Sequence, residues 1–254
     1  DLLGLAADAF DREDWRHLAT DGESGRPPDK LSCILPEAQV LAMPSNWSPQ
    51  ARYLLFNVSP DGGHHHPDTL SVQIWSGGRH LLIDPGVGHY NTGELATARR
   101  SWWHNCPTFG RRQLPSDLDP KVLHWESSPD LDYAVGQITI GNARIRRHVF
   151  FVERQYFVLW DELLDLPPTG ELWENFHFAV KPDEIEVRDE GRFVRTTLPG
   201  GTNRALISGT PGWVLKPEVA SKWLAYGGKP IPTALFHLRA TSEVARRGFA
   251  ALLI

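Results

Sequence analysis

The chain has 254 residues, 41% of them apolar, and a formal net charge of −5. That is enough apolar material for one large domain or two small ones, and it excludes a disordered chain. The acidic balance argues against general binding to nucleic acid or to a membrane surface, and no run approaches the eighteen apolar residues of a membrane-spanning helix.

Read in chain order, the first element is helical. Leu2, Leu5, Ala6, Ala9 and Phe10 fall on one side of a 3.6-residue period, which predicts a single helix over residues 1–18. The segment lacks the basic start and long apolar core of a signal peptide, and it begins without Met, so it reads as the interior of a longer protein. Residues 19–32, containing "TDGESGRPPDKLS", form a polar linker rich in Gly and Pro. From there to the end the period changes. "AQVLAMP", "RYLLFNVS", "LSVQIW" and "HLLID" are short apolar or alternating runs separated by Gly, Pro, Asp and Asn. A loop-rich section covers 86–120. "YAVGQITI", "ARIRRHVFFVE" and "QYFVLWDEL" follow, the last two joined by a tight turn near Glu153-Arg154-Gln155. Further strand-like runs, from "ELWENFHFAV" to "GFAALLI", complete the chain. A dozen or so closely spaced strands without intervening helices predict an all-β fold over 33–254, an antiparallel β-sandwich or large stacked sheets.

Two cysteines, Cys33 and Cys106, are far apart in sequence and leave pairing open, and no CxxC suggests a thiolate zinc site. Positive charge gathers at Arg99-Arg100, at Arg111-Arg112 and at Arg144, Arg146 and Arg147. Such pairs either hold an anionic ligand locally or form a solvated surface. Ten Trp residues supply stacking surfaces for sugar rings or filling for a β core. His124, His148, His177 and His237 alternate with apolar neighbours and read as hydrogen-bonded structural histidines.

The stretch "GGHHHPDTLSVQIWSGGRHLLIDPG", residues 62–86, carries the chemistry. In an extended segment His64, His66 and Asp68 share one side and His65 takes the other. The next strand ends in Asp84, beside which His66 can lie, and His104 in "RRSWWHN" is a third partner. Two neutral imidazoles and a carboxylate suit zinc. The alternative is a cluster of hydrogen-bonded polar residues in a loop.

These residues resemble the C-terminal domain of heparinase II/III-type polysaccharide lyases, a group related to alginate and oligoalginate lyases. The resemblance rests on the order Gly63, His64, His66, Asp68, Ser71, Asp84, Gly86, Tyr90, Arg100, Ser101, His104 and Asn105, and it extends over about residues 30–254. It departs from the family pattern at Pro44, where an Arg is common, in the short Ser101 to His104 spacing, and in "NCPTFGRRQ" after His104. The resemblance implies a C-terminal β-sandwich packed against an N-terminal α/α toroid, of which residues 1–18 would be the last helix. It implies zinc (Zn2+) held by His66, Asp84 and His104, His64 pointing into the cleft, and an anionic polysaccharide or oligosaccharide as substrate. It further implies β-elimination at a uronic acid, with the remaining catalytic groups on the toroid.

That chemistry removes the weakly acidic proton beside a charged carboxylate, so the carboxylate must be neutralised, a base must take the proton and an acid must protonate the leaving oxygen. His64 suits carboxylate neutralisation or proton abstraction, Tyr90 an assisting role, and Arg100 a contact to substrate charge. Family habit places such an enzyme in the bacterial periplasm or outside the cell. Two other readings fit the residues. One is a non-catalytic zinc-containing carbohydrate-binding or interaction domain. The other is a cupin-like metalloenzyme, although the Glu expected a few residues after the HxH is missing from "PDTLSVQIW".

Overall fold

The structure, a computed structural model, describes residues 1–61, 66–86, 96, 98–165, 170–188, 193–196, 206–208, 211–223, 231–245 and 248–253. The expected single N-terminal helix is two: α1 (Leu2–Phe10) and α2 (Glu13–Ala19). The break lies at Asp11, which adopts a left-handed conformation (φ 50°), and at Arg12, which is extended. The amides of both residues bond back to the Ala7 carbonyl, a closure typical of a helix end. Arg12 lies over the Trp15 ring at 4.5 Å, and Phe10 meets the same ring edge-on. Leu2, Leu5 and Phe10 are exposed, and Ala7 is the buried residue of α1.

The strands follow as β1 (Cys33–Leu35), β2 (Val40–Pro44), β3 (Tyr53–Asn57), β4 (Ser71–Ser76), β5 (Arg79–Leu82), β6 (Pro107–Phe109), β7 (Lys121–Ser127), β8 (Leu131–Ile140) and β9 (Ala143–Val152). Next come β10 (Tyr156–Leu164), β11 (Glu171–Phe178), β12 (Ile185–Arg188), β13 (Phe193–Thr196), β14 (Leu206–Ser208), β15 (Val214–Trp223), β16 (Ile231–Thr241) and β17 (Phe249–Leu253). Every pairing among the described residues is antiparallel. The large sheet runs β1-β2-β3-β4-β5-β11-β16-β15, with β6 also on β11. A second sheet runs β17-β10-β9-β8-β7, and β12-β13-β14 form a small third. The fold is therefore all-β with stacked antiparallel sheets, as the strand pattern predicts. The large sheet is open between β1 and β15, unlike the closed barrel of a cupin.

Alternation places Leu54, Phe56, Val72 and Ile74 of the large sheet in one buried core with Ile145, Val149, Phe151 and Leu159 of the second. The two layers come close together at Gly136 on β8. A Cβ there would lie 2.7 Å from Leu70, 2.8 Å from Phe56 and 2.9 Å from Val58, so only glycine fits. The β9–β10 hairpin turns at Glu153 and Arg154, both left-handed, where the tight turn was expected. Cys33 is exposed and Cys106 buried, and both are free thiols.

Candidate functional site

The topology makes a fork at β11. Its C-terminal end pairs with β5 at Phe178 and Leu82, while its N-terminal half pairs with β6 through Leu172 to Glu174. Asp84 stands two residues after the end of β5, and His104 three residues before the start of β6. The side chain of Asn105 fills the fork in place of a strand. Its Nδ2 donates to the Ile83 carbonyl (3.0 Å), and its Oδ1 accepts from the His177 amide (2.6 Å). The neighbours of Asp84 and His104 are thus pinned to the same buried amide group.

The third part comes from the turn before β4. The His66 amide donates to Asp61 Oδ1 (3.1 Å), the Asp68 amide to the His66 carbonyl (2.9 Å) and the Ser71 amide to the Asp68 carbonyl (2.9 Å). Leu70 is fully buried at φ 67°, a conformation that costs a residue with a Cβ about 1 kcal/mol. What holds it is Arg147, whose Nη1 donates to the Leu70 carbonyl (2.7 Å) and to the Asn105 carbonyl (2.6 Å). One side chain therefore ties the His66–Leu70 turn to the His104–Asn105 segment from beneath.

Arg147 was grouped by sequence with Arg144 and Arg146 as an anion-binding or solvated cluster. The structure corrects this for Arg147, which is fully buried between the sheets. Its remaining donors go to Asp161 (Nε to Oδ1, 2.9 Å; Nη2 to Oδ2, 2.7 Å) and to Glu174 (Nη2 to Oε2, 2.7 Å). All five N–H groups of the guanidinium are satisfied. Burial, and next the charge of Asp161, push Glu174 well above the usual carboxylate range against the pull of Arg147. A protonated Glu174 leaves one guanidinium facing one carboxylate, a neutral set compatible with burial.

At the surface of this frame His66, Asp68, Asp84 and His104 converge. One donor atom from each can be chosen so that all lie within 4.8 Å of one another. His104 Nδ1 is 2.7 Å from Asp84 Oδ2, His66 Nε2 is 3.9 Å from Asp84 Oδ1, and His66 Nδ1 is 3.6 Å from Asp68 Oδ2. The two imidazole rings meet edge to face with centroids 4.4 Å apart. The Asp84 carboxyl is driven upward by burial but is held at about 2 by His104, His66 and the Gly86 amide. Burial works against a proton on His66, yet Asp68, Asp84 and Asp61 outweigh it and raise its pKa.

The donor set fits a small divalent cation. Ligand atoms around tetrahedral zinc lie about 3.4 Å apart, close to the spread of this cluster. His104 is wholly buried, and its Nε2 has no hydrogen-bond partner among the described residues. A buried imidazole nitrogen left so is costly unless something accepts its lone pair or its proton.

The structure thus brings together His66, Asp84 and His104, the three residues singled out by sequence, and adds Asp68. The signal for Asp68 was its parity with His66 in "HHHPD", as well as its place in the motif. Arg100 is exposed, its guanidinium over the Trp102 ring at 5.7 Å. His64 and Tyr90 lie outside the described residues. His177 and His237 are buried and hydrogen-bonded, to Trp103 O and Thr233 Oγ1 and to Asn175 Oδ1 respectively. His148 lies between Tyr133 and Glu162, and His124 is near Glu126 at 3.6 Å.

His177 carries a pH signature. Burial drives its pKa down to about 4 from 6.5 despite the pull of Asp84. Above pH 6.5 the ring is neutral in both the folded and the unfolded chain and contributes nothing to pH dependence. As pH falls from 6.5 towards 4 the unfolded chain takes a proton that the folded chain refuses, so stability is lost, by about 3 kcal/mol over that window. Denaturant unfolding at pH 7 and pH 4.5 should show this loss, and His177→Gln should flatten it. An equal slope in the variant would contradict the assignment.

Three comparisons bear on this geometry. Residues 40–105 match the family model described as "Heparinase II/III-like, C-terminal". Among curated proteins, the chain is 26% identical over 211 residues to a heparin-sulfate lyase of Bacteroides stercoris and 28% identical over 201 residues to a heparin-sulfate lyase of Pedobacter heparinus. Those alignments take 80% and 76% of this chain but only 31% and 30% of the relatives, so the chain spans about a third of their length. Among solved structures it resembles the crystal structure of heparan sulfate lyase HepC from Pedobacter heparinus, with a TM-score of 0.88, 22% identity, and coverage of 99% of this chain and 40% of the other. A crystal structure of heparinase III gives a TM-score of 0.85 at 17% identity, again over 99% of this chain. The structural matches speak for the fold.

Proposed function

We propose that this chain, which carries a heparinase II/III-like C-terminal domain, is the β domain of a polysaccharide lyase that cleaves uronic-acid-containing polysaccharide of the heparan sulfate kind by β-elimination, with zinc at the His66/Asp84/His104 cluster. The observation that carries the reading is positional. The family match, residues 40–105, contains every member of the converging cluster together with His64, Tyr90 and Arg100. The catalytic partners that the cluster does not supply are assigned to an N-terminal α/α toroid of the same protein, and an exported or periplasmic location goes with such a substrate.

His66, Asp84 and His104, with Asp68 beside them, would hold the zinc. Bound there, the ion would anchor the segment that carries His66, and the elimination itself calls for no Lewis acid. The reaction is carried by side chains. The proton at C5 of the uronate leaves to a base, its electron pair forms the C4–C5 double bond, the C4–O bond breaks, and the departing oxygen takes a proton. His64 is assigned to the uronate carboxylate or the C5 proton, Tyr90 assists, and Arg100 meets substrate charge. The Asp84 carboxyl, held at about 2, is ionised wherever such an enzyme works and stays available to a cation.

The test uses the full-length protein with heparan sulfate and, separately, alginate, following the ultraviolet absorbance of the unsaturated product. Heparan sulfate should give product. His64→Ala should keep fold and zinc but lose turnover by a factor of at least about 100. A variant with full turnover would remove His64 from the mechanism. A folded, zinc-loaded protein that releases product from neither polymer would remove the lyase reading and leave a non-catalytic carbohydrate-binding domain.

A further inference from the structure

The outer face of the large sheet carries a pocket that the histidine cluster does not use. Leu54, Phe56, Val72 and Ile74 belong to the core, so Tyr53, Leu55, Gln73 and Trp75 stand on the opposite face. The loop between β2 and β3 lies beside them. The Ser45 amide donates to the Arg52 carbonyl (2.8 Å), the Arg52 amide to Ser45 Oγ (3.0 Å) and the Ser48 amide to Asn46 Oδ1 (2.8 Å). Those bonds close the loop that carries Trp47. Gln50 of the same loop reaches the turn between β4 and β5, where a Cβ at Gly78 (φ 76°) would lie 3.1 Å from Gln50 Oε1.

Between loop, turn and sheet opens a pocket of about 440 Å³, within the roughly 300–1,000 Å³ of small-molecule sites. Trp47, Tyr53, Trp75 and His80 line it, together with Leu55 and Gln73. All six are half-buried, so part of each side chain stays open to the pocket. Trp75 is the register partner of both Tyr53 and His80, and His80 packs edge to face with it at 4.4 Å. The Tyr53 hydroxyl and the side-chain amide of Gln73 are hydrogen-bonded to no other described residue.

No described residue that lines the pocket is Asp, Glu, Lys or Arg, although such residues make up 22% of the chain. Burial lowers the pKa of His80, so this imidazole is neutral at pH 7 as well. A sulfate or carboxylate brought here would lose water without gaining a counter-charge, which excludes an anionic group as the occupant. Aromatic rings offer apolar faces to the C–H side of a pyranose. The Gln73 amide and the Tyr53 hydroxyl supply donors and acceptors that match sugar hydroxyls. An aliphatic side chain of a partner protein would cover both and leave them unpaired, at a cost.

We propose that this pocket, framed by Trp47, Tyr53, Gln73 and Trp75, binds an uncharged pyranose unit of a saccharide, separately from the histidine cluster. The choice of a sugar rests in part on the reading that the protein handles polysaccharides, but it is tested by binding without turnover. Two uncharged probes, chitotriose and cellotriose, are titrated into the full-length protein and followed by saturation-transfer NMR. The wild type should bind at least one of them, equally at low and high salt. Trp75→Ala should weaken that binding about tenfold or more. Gln73→Ala, at a half-buried strand position, should keep the fold and weaken binding about threefold or more. Removing metal with a chelator should leave the affinity unchanged. The proposal is overturned if the wild type binds neither probe, if both folded variants bind as tightly as the wild type, if added salt abolishes binding, or if chelation does so in a protein that stays folded. Binding of an uncharged probe without unsaturated product from heparan sulfate would sink the lyase reading only, and product from a protein that binds neither probe would sink this site only.

Discussion

Replacing Arg147 with methionine should destabilise the protein by at least about 3 kcal/mol, since removal of one member of a buried ionic set leaves the other uncompensated. The substitution strands Asp161 and Glu174 between the sheets and frees the Leu70 and Asn105 carbonyls at once. Arg147→Lys should recover only part of the loss. Lysine keeps the charge, but one ammonium with three donors cannot reach two carboxyls and two carbonyls arranged for a planar fork. A hydrophobic replacement of all three residues removes the stranded carboxyl groups, yet the two carbonyls stay unpaired. Denaturant unfolding of the three variants separates the contributions. Because both carbonyls belong to the segments that carry the histidine cluster, Arg147→Met should also weaken metal binding in whatever fraction remains folded. A Met variant as stable as the wild type would contradict the role given to Arg147.

The second large effect is expected at Asp84. Its carboxylate lies between both histidines, 2.7 Å from His104 and 3.9 Å from His66, and asparagine keeps its shape while removing its charge. A ligand that binds only the folded state, present at a thousandfold excess over its dissociation constant, adds about 4 kcal/mol of stability. For a chain of this length that corresponds to a rise in melting temperature of roughly ten degrees between chelator and excess zinc. The wild type should show that rise and Asp84→Asn should lose most of it. If the asparagine variant keeps the full zinc-dependent shift, Asp84 is not a ligand.

Much of the architecture was legible because strand patterns are local. Alternation in "RYLLFNVS", "LSVQIW" and "ARIRRHVFFVE" marks β3, β4 and β9 and the faces they bury. Parity along β9 already put Arg147 on the inward side with Ile145, Val149 and Phe151. Its charge pointed the other way, and the partners that make burial tolerable, Asp161 and Glu174, come from β10 and from the opposite sheet. The fork at β11 was hidden for the same reason. It depends on β5 and β6 sharing one strand edge, and local sequence does not encode that pairing. The single helix expected over 1–18 failed because its apolar spacing continues through Asp11, where one left-handed residue ends α1. The approach of His66 to Asp84 could be read from two short adjacent strands, whereas His104 lies beyond a loop-rich section and was joined to them by the family resemblance.

The most direct test of the account is the metal content of the purified protein, measured by elemental analysis beside His66→Ala and Asp84→Asn. The account predicts about one zinc per chain in the wild type, as a site with this donor set holds, and none in either variant. A well-folded wild type without metal, or variants that keep the full amount, would contradict it.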